Sequence, residues 1–251
     1  MALPFEQNFK DLKMRKSILG QLTALSLAVL LSSCSSTPVV YDLLILDGTI
    51  VDGSGSPAYA SDIAIVDDKI VKMGDLNGSE AERIIDANGL TVTPGFIDLH
   101  THADRNIRDN PGVENYLHQG VTTILAGNCG HSPVDLDAYF KSFTDTGIAV
   151  NLAMLIGHNK VRDAVMGNEN RAPTAVEQRR MESLVKTAMD DGAFGLSTGL
   201  IYLPGTYSET DEVVALARIV AAEGGIYASH IRNEFELLIE AIEEAITIGQ
   251  E

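Results

Sequence analysis

The sequence predicts an α/β fold: about the first five strand-helix units of a (β/α)8 (TIM) barrel, preceded by a small N-terminal β-sandwich module. Three observations predict it. Residues 41–92 carry short apolar runs split by turn dipeptides, with no helical period. From Pro94 onward, apolar runs of strand length alternate with amphipathic segments of helix length, the pattern of a parallel sheet with helical crossovers. Residues able to hold a metal stand where those strands end, the place where barrels keep their functional side chains.

Composition narrows the class. The 251 residues hold 18 Lys+Arg against 35 Asp+Glu, a net charge of −17. Binding to nucleic acid draws on cations that neutralise phosphates, so this balance argues against a nucleic-acid partner. A hydrophobic content of 45% supports a packed core rather than a disordered chain. Two cysteines cannot build a disulfide framework.

Residues 1–34 read as a leader. Lys10, Lys13, Arg15 and Lys16 precede an apolar run over 17–31, and small residues follow. A basic start, a short apolar core and a small-residue exit describe a secretory signal peptide. The run is shorter than the roughly 20 residues a membrane span needs. Leu31-Ser32-Ser33-Cys34 resembles the bacterial lipobox. That resemblance implies lipidation of Cys34, a membrane anchor through it, and a place in the cell envelope facing the periplasm. The serine after Cys34 favours the outer membrane. An ordinary signal peptide is the alternative. Ser35-Ser36-Thr37-Pro38 then reads as a tether.

Residues 35–93 hold the tether and the β module. Strand runs 42–46 and 49–51 are split by Asp47-Gly48, a hairpin signal. Runs 62–66 and 69–73 are split by Asp67-Asp68, and two more flank Asn88-Gly89. The module is expected to be antiparallel.

Residues 94–251 form the barrel part. Strands are expected at 95–99, 121–125, 148–156, 194–201 and 225–229. Helices are expected at 110–119, 174–191, 211–222 and 235–251. Thr174 and Glu177 make a capping box that opens the second helix, and Gly192 stops it. Leu238, Ile242, Ala245 and Ile246 share one face of the last. A closed barrel needs eight units. The chain is therefore expected to be a fragment or a truncated gene product, ending where a sixth strand would start.

The chemistry-bearing residues follow the strands. His100-Thr101-His102 closes the first, and residues i and i+2 of an extended chain point to one side. Two imidazoles at that spacing can grip one divalent ion. Gly127-Asn128-Cys129-Gly130 follows the second strand. Cys129 is either a thiolate ligand or a small buried apolar residue. His230 ends the fifth strand and points to the same mouth. Nearby Arg232 and Glu234 either bind substrate or form a surface ion pair. The segment 195–205 carries three glycines, two hydroxyls and Tyr202, and suits either a pocket wall or a packed turn. His118 reads as a surface residue, while His131 and His158 could line the pocket.

Taken together these motifs are specific. Pro94-Gly-Phe-Ile-Asp-Leu-His-Thr-His-Ala-Asp104 resembles the opening metal motif of the amidohydrolase superfamily, whose fold is a metal-dependent hydrolase barrel. With the cysteine loop, the 195–205 segment and Ser229-His-Ile-Arg-Asn-Glu234, it resembles the D-aminoacylase, or N-acyl-D-amino-acid deacylase, branch. The resemblance implies that His100, His102, Cys129 and His230 are metal ligands for one or two Zn2+. It makes Cys129 the ligand that replaces a bridging carboxylated lysine. It implies that Tyr202 contacts substrate; Arg232 is a further substrate-binding candidate. The implied reaction is zinc-assisted hydrolysis of a small-molecule N-acyl-D-amino acid. The family's sixth-strand histidine and its catalytic Asp are expected beyond residue 251, so this fragment alone is expected to be inactive. Two other readings compete: an amidohydrolase acting on a cyclic amide, and a non-catalytic surface lipoprotein that binds a metal or peptide.

Overall fold

The computed structural model describes residues 40–251. The expected leader, the tether and the lipidation candidate Cys34 lie outside the described residues. The described chain divides into two compact units after Pro94.

The first unit contains β1 (Val40–Ile50), β2 (Tyr59–Val66), β3 (Lys69–Gly74), β4 (Glu80–Asp86) and β5 (Thr91–Val92). They form one sheet in the order β3-β2-β1-β4, with β5 also on β1. β1–β2 and β2–β3 are antiparallel, but β4 and β5 run parallel to β1. The module's sheet is thus mixed, not antiparallel throughout as expected. Asp47-Gly48 is the reason one hairpin is absent. β1 runs straight through it with a register shift between Ile45 and Gly48. Asp47 takes a φ of 60°, and its N–H donates to the Asp62 carboxylate at 2.8 Å. A turn dipeptide anchored this way makes a bulge, not a reversal.

The second unit is built on β6 (Phe96–Asp98), β7 (Val121–Ala126), β8 (Asn151–Gly157), β9 (Gly195–Gly199) and β10 (Ile226–His230). They lie side by side in chain order, every neighbouring pair parallel. Sequential parallel strands require crossovers, and helices supply them. These are α1 (Glu114–Leu117), α2 (Leu136–Lys141), α3 (His158–Met166), α4 (Ala175–Asp190), α5 (Thr210–Ala222) and α6 (Leu238–Gln250). Ile124, Met154, Ile156 and Leu196 from the strands pack with Met181, Val185, Val213 and Leu216 from the helices in one core. Among the described residues no helix is long and apolar enough to cross a membrane.

The α4 capping box forms with both of its arms. The Thr174 hydroxyl accepts the Glu177 N–H, and the Glu177 carboxylate accepts the Thr174 N–H at 2.7 Å. Thr174→Ala is expected to cost about 1 kcal/mol, read as a lowered urea midpoint at unchanged slope.

A polar cluster is buried between α3 and α5. Arg162 pairs with Glu212, whose other oxygen lies 2.8 Å from His158 Nε2. Arg162 also donates to the carbonyls of Glu169 and Arg171 at 3.1 and 2.7 Å. His158, a pocket candidate by sequence, is fully buried at the start of α3. Its partner is Glu212, and its work is structural.

Candidate metal centre

Three chain segments converge at the C-terminal ends of the strands. β6 stops at Asp98, so the His-x-His segment follows the strand and is not part of it. Thr101 holds this segment in place. Its N–H and hydroxyl both donate to the Leu125 carbonyl, at 3.1 and 3.3 Å. The His100 and His102 ring centroids are then 5.6 Å apart, edge to face.

Cys129 comes from the turn after β7. The buried amide of Asn128 donates to the carbonyls of Leu125 and Thr101, at 2.9 and 3.3 Å. That couples the cysteine turn to the histidine segment. Cys129 itself has a φ of 56°, in the left-handed region that non-glycine residues seldom occupy. One ligand atom from each of His100, His102 and Cys129 lies within 4.8 Å of the others. Cys129 Sγ is 3.5 Å from His100 Nε2 and 3.6 Å from His230 Nδ1. The thiol therefore stands between the His-x-His pair and the histidine that ends β10. His230 is outside the three-residue group and is reached through Cys129.

The donor set suits a divalent cation. The buried Nδ1 of His102 has no hydrogen-bond partner, and a buried polar atom without one calls for a ligand or water. Burial, then the nearby Arg105 cation, push the His102 pKa below its ordinary value, which favours the neutral, metal-binding imidazole. Burial pushes the Cys129 thiol up, so the charge of a cation would offset the cost of forming a thiolate there. Two imidazoles and a thiolate match the donor chemistry of zinc sites.

The other sequence candidates fall as follows. The Tyr202 hydroxyl is 3.4 Å from His230 Nδ1, with the two rings 4.7 Å apart. It belongs to the cluster. Arg232 forks onto Glu244 with two bonds of 2.8 Å and donates to the Thr206 carbonyl at 3.1 Å. Its guanidinium is in an ion pair, the second of the two alternatives the sequence leaves open. The pair is with Glu244, while Glu234 faces His230 Nε2 at 3.3 Å. His118 is exposed, as expected, and His131 lines a cavity of about 210 Å³ with Asn159 and Lys160. A larger cavity of about 730 Å³ opens beside His102, with Ala103, Ile107 and Val113 buried along it and Asn106 and Asp109 on its rim.

The hydroxyls of β9 could face a ligand or pack within the chain. The Ser197 hydroxyl bonds Gly130 and Gly127, and Thr198 bonds Tyr227 and Ser229. Asn159, unnoticed in the sequence, binds both the N–H and the carbonyl of Gly199. No local pattern marks these roles, because every partner is at least 29 residues away.

The chain is similar to proteins of known activity. A D-aminoacylase of Alcaligenes xylosoxydans xylosoxydans is 39% identical over 244 residues, 88% of this chain and 50% of the relative. An N-acyl-D-glutamate deacylase of the same organism is 37% identical over 83% of this chain and 47% of its own. A crystal structure of N-acyl-D-glutamate deacylase from Bordetella bronchiseptica, complexed with zinc and a phosphonate inhibitor that mimics the tetrahedral intermediate, superposes with a TM-score of 0.81. It is 35% identical and is matched over 84% of this chain and 49% of its own. The chain spans about half the length of the curated relatives it matches. The sequence model described as the amidohydrolase family matches residues 83–245, a stretch that takes in His100, His102, Cys129 and His230, and on that match the chain belongs to the amidohydrolase family.

Proposed function

We propose that the protein is a zinc-dependent N-acyl-D-amino-acid deacylase, which hydrolyses the amide bond to give a carboxylate and a free D-amino acid. The convergence of His100, His102 and Cys129 on one point, with His102 Nδ1 buried and unpartnered, carries this reading. Three relatives named for D-aminoacylase, N-acyl-D-glutamate and N-acyl-D-aspartate deacylation, at 36–39% identity, support it.

His100, His102 and Cys129 would hold one cation, and the position of Cys129 beside His230 gives a second cation two donors. When bound, a divalent cation supplies Lewis acidity for carbonyl polarisation and acidifies water. The remaining work falls to the chain. Asn128 and Thr101 keep the ligand segments in register through Leu125. The cavity beside His102 has the size of a small-molecule site. Tyr202 offers a phenolic O–H to the polar end of the substrate. Tyr202→Phe is expected to raise KM about tenfold or more, with little change in kcat, because a hydrogen bond to a charged group is worth about 1.5–3 kcal/mol.

We place the protein in the bacterial cell envelope, anchored through a lipid on Cys34. The reading rests on the basic, apolar and Leu-Ser-Ser-Cys stretches of residues 1–34. Radiolabelled palmitate incorporation that disappears in Cys34→Ala tests it; label that persists in the variant contradicts it.

The activity test uses the whole polypeptide that the gene encodes, loaded with zinc. Free amino acid released from N-acetyl-D- but not N-acetyl-L-amino acids is the expected result. Hydrolysis of a cyclic amide in its place, or zinc binding without any hydrolysis, would overturn the proposal.

A further inference from the structure

We infer that Ser197 is a positioning residue whose hydroxyl clasps the turn carrying Cys129 and thereby sets the direction of the thiol. The inference rests on the reading of Cys129 as a metal ligand.

Ser197 is fully buried in the middle of β9. Its Oγ accepts the Gly130 N–H at 3.0 Å and donates to the Gly127 carbonyl at 2.5 Å. These two groups are the first and last of the four-residue turn Gly127-Asn128-Cys129-Gly130. A single hydroxyl therefore holds both ends of the turn from a strand about seventy residues later. Both bonds are internal, so the hydroxyl's only proton is already committed to the chain.

The turn needs an outside hold. Cys129 sits at a φ of 56°, a conformation that costs a non-glycine residue free energy and persists only where its surroundings enforce it. Asn159 lies close against the turn at Gly130. A Cβ on Gly130 would meet Asn159 Oδ1 at 1.9 Å, so the turn has no room to slide that way. Asn159 also donates to the Gly199 and Tyr202 carbonyls at 2.9 and 3.3 Å. Held at both ends by Ser197 and closed in at Gly130 by Asn159, the turn sets the thiol between His100 and His230. Partners of this kind, one bond removed from a ligand, typically set metal affinity within a factor of 10–100.

The test is titration of the metal-free full chain with Co2+, following the near-ultraviolet absorption that a thiolate gives on binding cobalt. Cys129→Ala assigns the band. Ser197→Ala removes the hydroxyl, and the isosteric pair Ser197→Thr and Ser197→Val separates hydroxyl from volume. The expected result is a band in the wild type and in Ser197→Thr at similar affinity. Ser197→Ala and Ser197→Val should bind Co2+ about 10–100-fold more weakly with a reduced band, while keeping their far-ultraviolet circular dichroism. Equal affinity and band in the Val and Thr variants would overturn the inference and leave the metal reading standing. Loss of the fold together with the band would also overturn it, because the hydroxyl would then serve general stability. Absence of the band in the wild type would strike the metal reading itself, and the inference with it.

Discussion

Glu212→Gln is expected to destabilise the protein by about 3–5 kcal/mol at neutral pH. The carboxylate is buried with Arg162 and His158, whose side chains are also buried. Removing one member of a buried pair leaves the other charge without compensation, and that is the costly case. The effect should depend on pH. Burial alone pushes the Glu212 carboxyl up, but His158 and Arg162 outweigh it and hold it below the ordinary value of 4.5. A carboxyl with a folded pKa below its unfolded one stabilises fully above the ordinary carboxylate range. That stabilisation is lost as pH falls through the depressed folded value. The gap between wild type and Glu212→Gln should therefore narrow on going from pH 7 into the acid range. Urea unfolding at a series of pH values measures it; a gap that stays constant down to acid pH would show that the carboxylate charge is not what stabilises this cluster.

Gly127→Ala should cost about 3–5 kcal/mol and disable the metal site. Two effects combine. Gly127 has a φ of 76°, where an alanine is strained. A Cβ there would also lie 2.1 Å from the carbonyl oxygen of Leu155, a backbone atom of β8 that no rotamer change can move aside. Gly147 provides the control. Its φ is 65°, but nothing lies within 4 Å of an added Cβ. Gly147→Ala should show the conformational cost alone, about 1 kcal/mol. Denaturation of both variants gives the steric part by difference. Similar losses in the two would mean that the close approach of the cysteine turn to β8 is not what constrains Gly127.

Much of the site was legible because its chemistry belongs to residue types at strand ends. His100, His102, Cys129 and His230 each follow a strand run, and the alternation of strands and helices sends those ends to one side. What escaped was polar and long-range. α3 begins His-Asn-Lys-Val-Arg-Asp, and beside Val161 and Met166 it buries His158, Asn159 and Arg162, so polar residues interrupt the apolar period that would mark the helix. Glu212 reads as a solvated first-turn acid of α5, and only the fold brings it against Arg162, 50 residues earlier. The two outcomes for Arg232 could not be separated without knowing that α6 returns Glu244 to it. Asp47-Gly48 looks like a reversal until Asp62, on the neighbouring strand, takes up the Asp47 N–H. In each case the deciding contact lies far along the chain.

If His100, His102 and Cys129 form a divalent-metal site, the protein should retain zinc. The wild type, loaded with Zn2+ and dialysed against metal-free buffer, is expected to retain about one or two ions per chain by elemental analysis. His100→Ala and Cys129→Ala are each expected to lose them while keeping the fold. A wild type that retains no zinc, or a Cys129→Ala variant that retains as much as the wild type, would mean that these three residues are not a metal site.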